Sequence, residues 1–173
     1  SHSMIGPSAN LCGMDLQQID LSGENILHSF YDEHTIWPKD FDCQSSGAIL
    51  IEPNADLSGK NLANIKLRKA KIWNVNLNDA NLSGADLCET NLAKSDLVRA
   101  NLSHANLQQA SLSKTDMRSA NLSHAILVNA DIRKANLMGA NLYGVKQSKT
   151  KLSGSIYDES TIWPENVDHQ KRG

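Results

Sequence analysis

The sequence predicts a repeat solenoid, and three observations carry that prediction. From Leu57 to Leu152 a Leu, Ile or Met stands at every fifth position, interrupted only at Gln147. Two residues before each of these centres the chain is usually small, as at Ala80, Ala100, Ala110, Ala120, Ala130 and Ala140. Aromatic residues make up only 5% of the chain, so the core must consist of many similar aliphatic layers rather than the varied core of a globular enzyme. A period of five matches neither the 3.6 of an α-helix nor the 2 of a plain strand.

The chain has 173 residues, enough for one domain with a substantial core. Residues 1–8 are a lead-in, in which Ser1-His2-Ser3 reads as an expression remnant. Residues 9–32 form a first block, with centres at Leu11, Leu16, Leu21 and Ile26 and Tyr31 as a fifth. Its register differs by one residue from that of the main block, 55–156, which holds about five coils. A regular helix cannot slip by one residue without turning its core-facing side chains outward. The slip therefore predicts an interruption, placed at 33–54 by Pro38, Gly47, Pro53 and the apolar run Ala48-Ile49-Leu50-Ile51. This segment is read as an excursion that leaves the solenoid and returns near Asn54.

A longer duplication overlies the short one. YDEHTIWPKDFD at Tyr31–Asp42 nearly recurs as YDESTIWPENVD at Tyr157–Asp168. Proline removes a backbone donor and ends regular ladders. Each copy thus reads as a terminator, and 157–173 as a C-terminal cap and tail. Open solenoid ends expose unpaired edges and apolar core; Ile36-Trp37 and Ile162-Trp163 supply apolar area to cover them.

The run ADLCETNLAKSDLVRANLSHANLQQASL, Ala85–Leu112, resembles the A(D/N)LxX signature of the pentapeptide repeat proteins. The YDExTIWP segments resemble interrupting or capping motifs of cyanobacterial members. The resemblance implies an all-β fold: a right-handed quadrilateral β-helix with one pentapeptide per side and four per coil. The central Leu and the small residue before it would then point inward. Lys60, in a small slot, and Gln147, at a centre, depart from the pattern.

Four sides of five residues make residues twenty apart stack on one face. Asn61, Asn81, Asn101, Asn121 and Asn141 then form a ladder whose amides can bond from coil to coil. Asp56, Asn76, Asp96, Asp116 and Asn136 form an acidic column. Asn74, Lys94, Lys114 and Lys134 form a basic one, with Lys66, Arg68, Lys69 and Lys71 near its start. An acidic edge and a basic edge are therefore expected side by side. Lys94, Lys114, Lys134, Asp96, Asp116 and the outward Trp73 are the candidate partner surface; Trp73 is expected to pack beneath the 49–51 patch.

Catalytic chemistry finds no footing. Ser, His and Asp occupy repeating surface slots and compose no triad, and neither GxxxxGK[ST] nor GxGxxG occurs. His104 and His124 stack twenty apart, but no third metal ligand recurs between Gly84 and Gly144. No cofactor and no metal are expected, nor an enzyme. Cys12 and Cys43 are the candidate disulfide pair, tethering the excursion; in a reducing cytosol both remain thiols.

The leading functional expectation is a non-catalytic scaffold binding another protein through a solenoid face or the excursion. By analogy, some family members regulate cell differentiation through protein contacts. The alternatives are a DNA mimic that binds DNA gyrase, as quinolone-resistance members do, and a structural protein of a lumenal or periplasmic compartment. The gyrase reading favours a strongly acidic rod, whereas this chain carries 17 basic against 19 acidic side chains. Direct nucleic-acid binding and a membrane span are not expected. The cytoplasm is favoured, with lumen or periplasm as the alternative if a leader was removed.

Overall fold

The computed structural model describes residues 5–165; Ser1-His2-Ser3 and the end of the C-terminal cap beyond Glu165 lie outside them. The chain divides into two compact units, Ser1–Glu52 and Pro53–Gly173.

The second unit is a right-handed quadrilateral β-helix with no α-helix among the described residues. Asp56, Asn76, Asp96, Asp116, Asn136 and Ile156 pair successively in parallel, each twenty residues after the last. Three further columns, starting at Asn61, Lys66 and Lys71, repeat the arrangement, giving four sides and five coils. The Leu57 N–H donates to Asn76 O one coil on (2.8 Å), and the Asn76 N–H donates back to Ala55 O (2.9 Å). Repeated on every side, these bonds satisfy the backbone along the axis, as buried polar groups require.

Inside, Leu87, Leu92, Leu97, Leu102, Leu107 and Leu112 are wholly buried, as are Ala85 and Ala105 in the small slots. Each such Leu contributes roughly 1.5–3 kcal/mol by leaving water. Where Thr fills a small slot its hydroxyl finds a carbonyl. Thr90 Oγ1 donates to Leu67 O at 2.8 Å and Thr115 Oγ1 to Leu112 O at 2.7 Å. Gln147 is half-buried at its centre and Lys60 half-buried in its small slot.

Corners follow one rule. The centre's carbonyl accepts the N–H three residues on, as in Lys60 N to Leu57 O (3.2 Å). The residue two after the centre has positive φ, from Gly59 (+67°) through Lys94 (+61°) and His104 (+59°) to Gly154 (+73°). That is a type II turn, which demands φ > 0 at its third residue. At many corners an Asn or Asp before the centre supports it. Asn101 Oδ1 accepts the Ser103 N–H (3.0 Å) and Asn121 Oδ1 the Ser123 N–H (3.0 Å), an Asx turn.

In the first unit Ile5, Leu11, Leu16, Leu21 and Ile26 are buried, with Tyr31, Trp37, Phe41 and Ala48 packed against them. The expected centre Tyr31 is only half-buried, while Phe30 beside it is buried. The segment 33–54, expected to leave the solenoid, is paired at Ile36 and at Ile49–Leu50. Asp15 pairs with Ile36, and β1 (Phe30–Tyr31) pairs in parallel with β2 (Ile49–Leu50). At those positions the segment lies on the ladders of the first unit. Only a 3-10 helix, Gln44–Ser46, interrupts it, closed by Gly47 at φ +79°. The reason is burial: Trp37, Phe41 and Ala48 cover the core that an excursion would leave bare.

Within the first unit the steps are uneven. Asn10 pairs with Phe30 twenty residues on, Asp15 with Ile36 twenty-one on, and Phe30 with Ile49 nineteen on. The extra residue sits in the Asp32–Thr35 turn of the YDExTIWP motif. Its second copy does the same, since Asn141 pairs with Ile162 twenty-one residues on. In regular coils the N–H two after a centre donates to a main-chain carbonyl of the next coil. At the motif it donates to an aspartate side chain instead: Gly13 N to Asp32 Oδ1 (2.9 Å), Gly139 N to Asp158 Oδ1 (3.3 Å). The motif threonine locks each turn, Thr35 Oγ1 donating to Leu11 O (2.8 Å) and Thr161 Oγ1 to Leu137 O (2.9 Å). Each motif tryptophan packs edge-on to its own tyrosine, with centroids 5.2 Å apart for Tyr31–Trp37 and 5.2 Å for Tyr157–Trp163.

Candidate partner-binding face

The four sides of the second unit carry very different charge. The side centred on Leu62, Leu82, Leu102, Leu122 and Leu142 bears no Asp, Glu, Lys or Arg at its outward positions. The side centred on Leu57 through Leu137 carries Asp56, Asp79, Asp96 and Asp116 against Arg99 and Arg118. The side centred on Leu67 through Gln147 is basic at both ends, carries Asp86 and Glu89 in its second coil and is uncharged in its third and fourth. The fourth, centred on Ile72, Leu92, Leu112, Ile132 and Leu152, carries Lys71, Lys94, Lys114, Arg133, Lys134 and Lys151 against Asp131 alone.

Lys94, Lys114 and Lys134 stand in one column of left-handed residues (φ +61°, +58° and +59°), all exposed. Among the described residues none of the three has a carboxylate within 4.0 Å. At a coil spacing of about 4.8 Å their ammonium groups repel one another. The column begins with Asn54 and Asn74, whose amides bond at 2.6 Å, and ends at Gly154. A Cβ on Gly154 would lie 3.1 Å from Lys134 Cγ, so that glycine gives the last lysine room. Ser113, Lys114, Arg133, Lys134 and Ser153 line a shallow depression of about 340 Å³.

The acidic edge is neutralised at Asp79 and Asp116, and Asp131 on the lysine face is paired as well. Arg118 Nη2 reaches Asp116 Oδ2 at 2.7 Å, and Arg133 Nη2 reaches Asp131 Oδ2 at 2.8 Å. Arg99 contacts Asp79 through Nε at 2.7 Å. These hydrogen bonds hold the Asp116, Asp131 and Asp79 carboxyls below the ordinary aspartate range. Asp96 stays exposed. The sequence offered two signals for the pairs: Asp-x-Arg across an Asx turn, and Asp and Arg twenty residues apart. The serines and Arg133 beside the lysine column follow the same twenty-residue rule one position earlier.

Other singled-out residues do not join this face's chemistry. Trp73 lies outward on it and is 41% exposed. The asparagine ladder spends its amide oxygens mainly on the Asx turns; Asn81 Nδ2 also donates to Asn61 Oδ1 at 3.4 Å. His104 and His124 stack with centroids 5.1 Å apart and planes 15° apart, and Tyr143 meets His124 edge-on. Lone pairs of parallel rings run parallel, so the two imidazoles do not converge on one ion. Among the described residues no three His, Cys, Asp or Glu side chains gather for a metal. Cys12, Cys43 and Cys88 carry free thiols in the structure. Burial, reinforced by the Asp32 charge, pushes the Cys12 thiol up to about 12. No helix among the described residues is long and apolar enough to cross a membrane.

Parallel four-sided coils, a uniform aliphatic core and one basic face define a β-helical repeat scaffold. The chain belongs to the pentapeptide repeat family, whose profile matches residues 54–84, 80–118 and 115–154 with eight copies of the repeat. Among solved structures it is similar to a pentapeptide repeat protein from the cyanobacterium Cyanothece, with 30% identity over 62% of this chain and 90% of that one, at a TM-score of 0.54. It is also similar to a pentapeptide repeat protein from Nostoc, with 35% identity over 68% of this chain and 81% of that one, at a TM-score of 0.51. A search of curated proteins finds no match.

Proposed function

We propose that the chain is a non-catalytic scaffold that binds an acidic protein partner through its lysine-bearing face. The observation that carries this reading is the unneutralised column Lys94–Lys114–Lys134. On the second unit Asp79 and Asp116 pair with arginines between coils or within a turn, and on this face Arg133 is held by Asp131; the three lysines stack without such a counter-charge. Such a column lowers stability when unliganded and gains most from an anionic partner. Asp96 and Trp73 border the same surface and belong to its rim, and Asp116 reaches it only as the partner of Arg118. A gyrase-directed DNA mimic would need an unbroken acidic face, and the arginine pairing of Asp79 and Asp116 does not favour it. Three free thiols fit a reducing compartment such as the cytoplasm.

The test uses substitutions the column already tolerates, because Asn54 and Asn74 occupy the same left-handed slots (φ +66° and +55°). Cross-linked capture from the native host is compared for the wild type and the triple variant K94N/K114N/K134N. Loss of specific partners from a variant that melts like the wild type supports the reading. An unchanged partner set overturns it. Deleting 40–53 would be a poorer test, since it removes β2 from its pairing with β1.

A further inference from the structure

We infer that the partner element seated on this face is an acidic α-helix lying along the solenoid axis, with its carboxylates in register with Lys94, Lys114 and Lys134. The inference rests on the scaffold reading above and goes beyond it by specifying the conformation of the partner.

The argument is one of spacing. Lys94 to Lys134 spans two coils, about 10 Å at strand spacing. On an α-helix, residues i, i+3 or i+4, and i+7 share one face and rise about 5 Å and 10.5 Å along the axis. Three acidic residues so placed meet three lysines with an error of about 1 Å, which flexible lysine stems absorb. An extended strand presents same-face side chains about 6.8 Å apart, so its third carboxylate falls about 4 Å out of register.

Width decides against nucleic acid. Two residues beyond Lys94 lies the exposed Asp96, and two beyond Lys114 lies Asp116 in its clasp with Arg118; Arg133, ahead of the column, is held by Asp131, so the unneutralised positive strip at Lys94–Lys134 is one column wide. A duplex carries a charge every 1.7 Å or so along its axis and would have to cover those aspartates as well. A helix with acid on one face alone keeps clear of them. The depression lined by Ser113, Lys114, Lys134 and Ser153 gives one carboxylate two ammonium groups and two hydroxyls.

Three labelled probes test the inference by anisotropy titration on the full chain at low salt. The first is a stapled helical peptide of about 20 residues with Glu at i, i+4, i+7 and i+11 on one face. The second has the same composition and staple with the glutamates spread around the helix. The third is a short DNA duplex. The expected result is that the one-faced helix binds at least about ten-fold tighter than the scrambled helix. That preference should vanish in K94N/K114N/K134N and weaken steeply by 0.5 M salt. Equal binding of both helices, or tighter binding of the duplex, overturns the inference. If no peptide binds while capture of host proteins still depends on the three lysines, the helix inference fails and the scaffold reading stands. If capture is indifferent to the lysines, both fail.

Discussion

Arg118 folds back onto Asp116 two residues earlier, its Nη2 2.7 Å from Oδ2 and its Nε 2.9 Å from Oδ1. Arg133 repeats the clasp on Asp131. In each case the Asp also accepts the arginine's own backbone N–H, so one side chain closes the turn and neutralises itself. The pairing neutralises Asp116 on the mixed face and Asp131 on the lysine face, and leaves Lys94, Lys114 and Lys134 without such a partner.

A pH dependence follows. Both aspartates stay ionised in the folded chain at pH values where a free aspartate takes up a proton. Their contribution to stability is fully present above the unfolded value near 3.9 and is lost as pH falls through the lower folded value. Urea midpoints measured from pH 5 to about 2.5 should therefore drop, and R118Q/R133Q should show a shallower drop below about pH 4. Identical slopes would refute the role of the clasps.

Core substitutions should scale with burial along the stack. Leu107 is wholly buried, whereas Leu152 is half-buried. Leu107→Ala should destabilise by about 2–5 kcal/mol, and Leu152→Ala by clearly less. Chemical denaturation of the two variants checks this, and equal losses would contradict the assigned register.

Thr90 tests the hydroxyl in the small slot. It is fully buried, with Oγ1 2.8 Å from Leu67 O. Thr90→Val keeps the shape and removes the donor, so a loss of about 1 kcal/mol is expected. A variant as stable as the wild type would mean that the bond adds nothing.

Gly144 holds φ +70° beneath the histidine stack, and a Cβ there would lie 2.5 Å from His124 Nδ1. Gly144→Ala therefore meets both backbone strain and a clash, and should destabilise by more than about 1 kcal/mol. Imidazole NMR signals should report displacement of His124 from His104. Unshifted signals would be incompatible with the stacked geometry.

Cys12 should resist alkylation. Its thiol, pushed up to about 12, leaves almost no thiolate near neutral pH, and thiolate is the nucleophile. Timed labelling with mass mapping of the native chain should find Cys12 unmodified until denaturant is added. A two-dalton rise in intact mass on reduction would instead reveal a bridge.

The period of five by itself determined the solenoid, the inward centres, the small slots and the vertical columns. Those properties are local and repeat at every side, so each repeat restates them. The sequence also registered the slip between Ile26 and Leu57, but not the uneven steps at the two YDExTIWP motifs. Tertiary structure placed the extra residue in the Asp32–Thr35 and Asp158–Thr161 turns, where a carboxylate replaces a carbonyl. It also kept Ile36 and Ile49–Leu50 paired within the first unit, where Trp37 and Phe41 pack on its core. The lysine column was legible as a spacing. Its isolation was not, because whether a charge is neutralised depends on which way a long side chain turns, and Arg118 and Arg133 turn back on their own aspartates while Lys94, Lys114 and Lys134 have none within reach.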